Sequence, residues 1–123
     1  MPNPGFVLLY VDSPLASAAF YSDLLGRQPL ESSPTFVMMP LTADMMLGLW
    51  SRHTAEPASQ VTGGGAEIAL IAKDDDEVRL LHADWSARKL PIIQPPIMMD
   101  FGYTFVATDP DGHRVRVFAP AAA

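Results

Sequence analysis

The feature that most constrains this chain is a repeated order of elements. Phe6 to Val11 (FVLLYV) is an apolar, β-rich run of strand length. Ser13 and Pro14 follow, a helix start in which the serine oxygen accepts a first-turn amide and proline presets the backbone. The helix runs from Pro14 to Leu25 with Leu15, Ala18, Ala19 and Leu25 on one stripe, and Gly26 can close it in the left-handed conformation. Three short strands follow, Gln28 to Ser33, Thr35 to Met39 and Met45 to Ser51, punctuated by prolines. After a small and polar stretch ending in Gly63 to Gly65, a flexible connector, the order restarts. Glu67 to Ala72 is a strand, and Lys73 to Lys89 a helix with acids at its start and Arg88 and Lys89 at its end, as its macrodipole favours. Val78, Leu81 and Trp85 give it one apolar face. Pro91 to Met98, Tyr103 to Thr108 and Arg114 to Ala119 are three further strands. Two β-α-β-β-β halves with little residue identity imply two similar modules of an α+β protein, since a solenoid would have shorter and more numerous units.

Composition removes several kinds of function. The chain of 123 residues has no cysteine, which excludes disulfides, thiolate nucleophiles and cysteine-ligated metal clusters. The net charge is -6 and no basic run occurs, so no nucleic-acid partner is expected. The first ten residues carry no positively charged lead, and no apolar run approaches the ~18 to 20 residues that span a bilayer. The expectation is a soluble, cytoplasmic protein with no membrane partner.

Catalytic motifs are missing. His53, His82 and His113 do not share metal-ligand spacing on one element. Asp109-Pro110-Asp111-Gly112 lacks the later acidic ligand of a calcium loop and reads as a turn. The glycines at 63 to 65 are not followed by the lysine of a phosphate loop, and no serine occupies a G-x-S-x-G elbow.

Val11 to Gly26 (VDSPLASAAFYSDLLG) and Thr108 to Phe118 (TDPDGHRVRVF) resemble the strand-into-helix signature and final hairpin of the vicinal oxygen chelate superfamily. That group holds glyoxalases, extradiol dioxygenases and bleomycin- or fosfomycin-resistance proteins. Pro4 with Leu8, Tyr10 and Val11, then Leu47 to Ser51 (LGLWS) and Phe101 to Val117, look most like its phenazine antibiotic resistance binding proteins. The resemblance implies tandem βαβββ modules forming curved sheets around a cavity, within one domain whose modules span 1–53 and 66–123 with a connector at 54–65. It also implies a homodimer. The superfamily's metal ligands, carried over by position, fall on Phe6, Gly48, Glu67 and Arg116. Only one of these binds a divalent cation, and Arg116 repels it. Glu67 and Arg116 are then expected on neighbouring strands as a pair. No catalytic residue, metal ligand or cofactor is assigned. The alternative is a metal-dependent lyase or dioxygenase of glyoxalase type with differently placed ligands.

Candidate binding residues come from strand alternation. In Arg114 to Phe118 the valines face the helix while Arg114, Arg116 and Phe118 face the other way. Parity set by Gly48 places Met46 and Trp50 beside the cavity, where the missing side chain leaves room next to the indole. Phe36, Met38, Phe101 and Tyr103 are further candidates whose parity the sequence leaves open, and Arg116 and Glu67 complete the set. Six of seven methionines form adjacent pairs, at 38–39, 45–46 and 98–99, which in strands put one thioether on each face. They serve either a core or a pocket moulding itself to a flat ligand. The partner expected is a small aromatic or hydrophobic molecule, bound without chemical change. A dimer that serves only as a scaffold for another protein has no positive feature in its favour.

Overall fold

The computed structural model describes residues 2–121, so the expected module limits at 1 and 123 lie outside the described residues. The chain divides into two compact units, Met1–Thr62 and Gly63–Ala123. The first holds β1 (Phe6–Val11), α1 (Pro14–Leu25), β2 (Glu31–Ser32), β3 (Phe36–Pro40) and β4 (Met46–Ser51). The second holds β5 (Glu67–Ile71), α2 (Asp75–Ala87), β6 (Ile92–Met99), β7 (Gly102–Thr108) and β8 (Arg114–Pro120). Both units are therefore βαβββ modules. No helix among the described residues is long and apolar enough to cross a membrane.

Each module pairs its first strand in parallel with its last, β1 with β4 and β5 with β8. A parallel pair needs a crossover longer than a hairpin, and the helix begins it. The sheet orders are β1-β4-β3-β2 and β5-β8-β7-β6. Curved sheets around a cavity are not what forms: both sheets are open, four-stranded and mixed, neither closed nor strongly curled. The edge strands explain this. Gln28 to Ser33 yields only the two paired residues of β2, and β6 has two register shifts, the second of which contains Pro95 and Pro96, because proline cannot donate to a ladder.

The helices are capped as their sequences dictate. Ser13 Oγ accepts from the Ala16 amide at 3.2 Å, and Gly26 closes α1 at φ 66. At α2, Asp74 accepts from the Glu77 amide at 2.8 Å while Glu77 Oε1 accepts from the Lys73 amide at 2.9 Å, a reciprocal capping box. This box starts α2 at Asp75 rather than Lys73, and Arg88 and Lys89 follow its last turn instead of belonging to it. The buried side of α1 is Pro14, Ser17, Ala18 and Tyr21. Leu15 and Ala19, expected there, are exposed, because the hydroxyl-bearing Ser17 and Tyr21 take the buried side. Tyr21, Val37, Met39, Leu47 and Leu49 form one core, and Val78, Trp85, Phe105, Val115 and Val117 the other. Trp85 meets Phe105 edge-on at 5.2 Å.

Two glycines separate backbone strain from steric overlap. Gly102 has φ 144, and a Cβ there would run into the Ala119 carbonyl, whereas Gly26 has φ 66 and open space around it. Gly26→Ala is expected to cost about 1 kcal/mol and Gly102→Ala about 3 kcal/mol or more. Urea unfolding of both variants checks the order; equal losses would contradict it.

Candidate ligand-binding site

In the first unit, the face of the sheet turned away from α1 is largely apolar over β1, β3 and β4, with Glu31 of β2 at its edge opposite Met38. Strand alternation and register bring Phe6, Leu8 and Tyr10 of β1, Met46, Gly48 and Trp50 of β4, and Phe36 and Met38 of β3 to this face. Phe6 and Leu8 are about half exposed, at 50% and 46%. Phe6, Leu8, Phe36 and Trp50 line a pocket of about 440 Å³. Trp50 lies across from Phe36 in the ladder and meets Tyr10 at 6.2 Å between ring centroids, inclined by 60°. The room beside Gly48 is not left for a ligand as expected. Leu8 and Phe36 fill it, and a Cβ at Gly48 would overlap Leu8 Cδ2 and reach Phe36 Cζ at 3.0 Å. Glycine thus lets both side chains settle onto the strand and form adjoining pocket walls.

In the second unit, the corresponding face carries a polar centre among apolar neighbours. Arg116 donates from Nε to Glu67 Oε1 at 2.8 Å and from Nη2 to Glu67 Oε2 at 3.1 Å, a forked pair. Its Nη1 donates to Gln94 Oε1 at 3.2 Å and to Thr104 Oγ1 at 3.1 Å. The buried Thr104 hydroxyl donates in turn to the Val117 carbonyl at 2.8 Å. Phe101 stands edge-on to Phe118 at 5.7 Å, and the Arg116 guanidinium lies 5.5 Å from the Phe101 ring centre. The hydrogen bond from Arg116, helped by the charges of Arg116 and Arg114, holds the Glu67 carboxyl below its ordinary value.

The structure thus divides the candidate residues. Trp50, Phe36, Met38 and Met46 share the open face of the first unit, with the two methionines outside the pocket lining. Glu67, Arg116 and Phe101 cluster in the second unit. Tyr103 is on the helix side of its sheet, opposite Ala119, with the Arg79 guanidinium 4.9 Å over its ring. Phe6 and Leu8 are pocket residues that sequence reasoning did not nominate. Both faces of FVLLYV are apolar, so alternation offers no signal there. A larger cleft of about 600 Å³ lies at the start of α2, where Asp74, Asp75 and Asp76 suit an apolar ring poorly.

The positions that the superfamily resemblance assigns to a metal do not fit one. Phe6 and Gly48 offer no donor atom, and both oxygens of Glu67 are taken by Arg116. Among the described residues no three His, Asp or Glu side chains gather to hold an ion. His53 is hydrogen-bonded at 2.8 Å to Asp12, and His82 packs edge-on to Phe105.

Comparison with known proteins agrees with this architecture. A model of the Glyoxalase/Bleomycin resistance protein/Dioxygenase superfamily matches residues 4–117. A phenazine antibiotic resistance protein, EhpR of Enterobacter agglomerans, is 30% identical over 118 residues, covering 94% of this chain and 90% of its own. The solution structure of protein ATC0852 from Agrobacterium tumefaciens is 52% identical, with a TM-score of 0.90 over 99% of this chain and 100% of that one. A glyoxalase/bleomycin resistance protein/dioxygenase from Nocardioides shares the fold at 21% identity, with a TM-score of 0.84 over 100% of this chain and 86% of its own.

The Glu67–Arg116 pair has a pH signature. Because folding lowers the Glu67 pKa from its ordinary 4.5, the unfolded chain binds more protons in the window just below that value. The stabilisation is present above that value and is lost as pH falls through the lower, folded-state pKa. Glu67→Gln is expected to flatten the fall of stability below pH 4.5. Urea unfolding across acid pH measures it; an unchanged slope would show that the pair contributes nothing.

Proposed function

The chain belongs to the Glyoxalase/Bleomycin resistance protein/Dioxygenase superfamily, and we propose that within it this protein binds a planar hydrophobic small molecule without changing it. Resistance to an aromatic antibiotic by sequestration is the biological role that follows. The observation that carries this reading is the pocket of Phe6, Leu8, Phe36 and Trp50. Three aromatic rings and an aliphatic side chain offer dispersion and stacking surfaces, and no group there can move a proton or bind a metal. The donor set at the superfamily's metal positions supports binding over metal catalysis. The resistance protein EhpR supports an aromatic antibiotic as the ligand class.

The protein acts as a homodimer in this reading. Two open sheets leave apolar side chains outside the Trp50 pocket, such as Ile71 and Ile97, exposed, which a second copy would cover. Sedimentation equilibrium at micromolar concentration is expected to give twice the chain mass; a value near 13.3 kDa would contradict the dimer.

Two tryptophans supply an internal control for ligand binding. Trp50 lines the pocket, whereas Trp85 is buried against Phe105. Stacking contributes about 0.5 to 1.5 kcal/mol beyond area burial. With the lost area, Trp50→Ala is expected to cost about 2 kcal/mol, or roughly thirtyfold in affinity. In a fluorescence titration with phenazine, quenching survives in Trp85→Phe and vanishes in Trp50→Phe, and calorimetry measures Trp50→Ala. Quenching that follows Trp85, or undiminished binding by Trp50→Ala, would overturn the assignment.

A further inference from the structure

We infer that a second pocket, on the open face of the second unit, binds a carboxylate carried on an apolar body. The pocket has a volume of about 390 Å³ and is lined by Ile93, Gln94, Val106, Arg114 and Arg116. Its donors outnumber its acceptors. Arg116 gives Nε and Nη2 to Glu67, and Nη1 to Gln94 and Thr104. Both Glu67 oxygens are thereby committed, and one carboxylate stands against two guanidinium groups.

Arg114 is the less engaged of the two guanidinium groups. Its Nη1 is 3.8 Å from Glu67 Oε2, beyond hydrogen-bond length, and its side chain is 46% exposed. Gln94 also lines the pocket, with its Oε1 accepting from Arg116 and its amide nitrogen 3.8 Å from Met99 Sδ. The pocket therefore presents a guanidinium and a local excess of positive charge in a chain of net charge -6. A planar carboxylate matches the guanidinium fork, and Ile93 and Val106 give its organic body an apolar wall. A cationic ligand would meet net repulsion from two guanidinium groups against one carboxylate, and a neutral apolar one would strip water from Arg114 without repayment.

This inference rests on the second unit alone and is independent of the Trp50 pocket. The probe is cyclohexanecarboxylate, whose puckered ring does not stack on an indole, with cyclohexanecarboxamide as its uncharged counterpart. Binding is followed by NMR at the arginine Nε–H and glutamine amide signals. The acid is expected to bind at about 1 mM and the amide at least about tenfold more weakly. Arg114→Gln is expected to weaken the acid about tenfold, Arg114→Lys less, and Trp50→Ala not at all. Melting by circular dichroism establishes that the variants fold. Equal affinity for acid and amide, unchanged binding of the acid by Arg114→Gln, or no binding of the acid up to ~20 mM would each overturn the inference. Loss of the acid in Trp50→Ala alone would assign it to the other pocket and overturn it equally.

Discussion

Everything in this molecule follows from the parallel pairing of the first and last strands in each module. That pairing begins with a crossover helix, and each four-stranded sheet receives only one. A sheet has two faces, so one is buried by the helix and the other is left open. The buried faces are dense with aliphatic side chains, Val37, Met39, Leu47 and Leu49 in the first unit and Val115 and Val117 in the second. The open faces are where the two modules diverge. One is largely apolar around Trp50, with Glu31 at its edge, and the other is built around Arg116.

Arg116 sets the character of the second unit's open face. A guanidinium cannot give up its proton near neutral pH and cannot ligate a cation. Once it forks onto Glu67, the single carboxylate at the metal positions is neutralised by a charge inside the protein. Thr104 and Gln94 absorb its remaining directed hydrogen bonds, so it is both paired and solvated by protein groups. On the first unit Phe6 serves as a pocket wall and Gly48 allows Leu8 and Phe36 to close in.

Both modules and both helices are legible because they rest on strong local signals: the Ser-Pro start and Gly stop of α1, the acidic start of α2, the Asp-Pro-Asp-Gly turn and the strict polar and apolar alternation of RVRVF, whereas the Glu67–Arg116 pair is legible only through the superfamily resemblance. The Asp109 carboxylate at that turn accepts the Asp111 and His113 amides, chemistry the residues themselves prescribe. Legibility failed where polarity misleads or both faces of an element are apolar. Leu15 and Ala19 lie on the exposed side of α1 because the hydroxyl-bearing Ser17 and Tyr21 take the buried side, the reverse of what polarity suggests, and Phe6 and Leu8 give no signal because both faces of FVLLYV carry large apolar side chains. Tyr103 has no usable phase marker either, because the adjacent Thr104 is itself buried and Phe105 and Val106 put apolar side chains on both faces. The curvature of the sheets depends on edge strands and bulges, and Pro95-Pro96 signals an irregular edge without saying how far the sheet turns.

The central claim is that the open face of the first unit is the binding surface, and adjacent methionines test it. Met38 lies on that face while its neighbour Met39 is fully buried beneath α1, so one strand presents both outcomes one residue apart. With methyl-labelled methionine, titration with phenazine is predicted to shift the methyl signals of Met38 and Met46 and to leave Met39 in place. Shifts at Met39 without Met38 and Met46, or at Met98 and Met99 alone, would contradict the account.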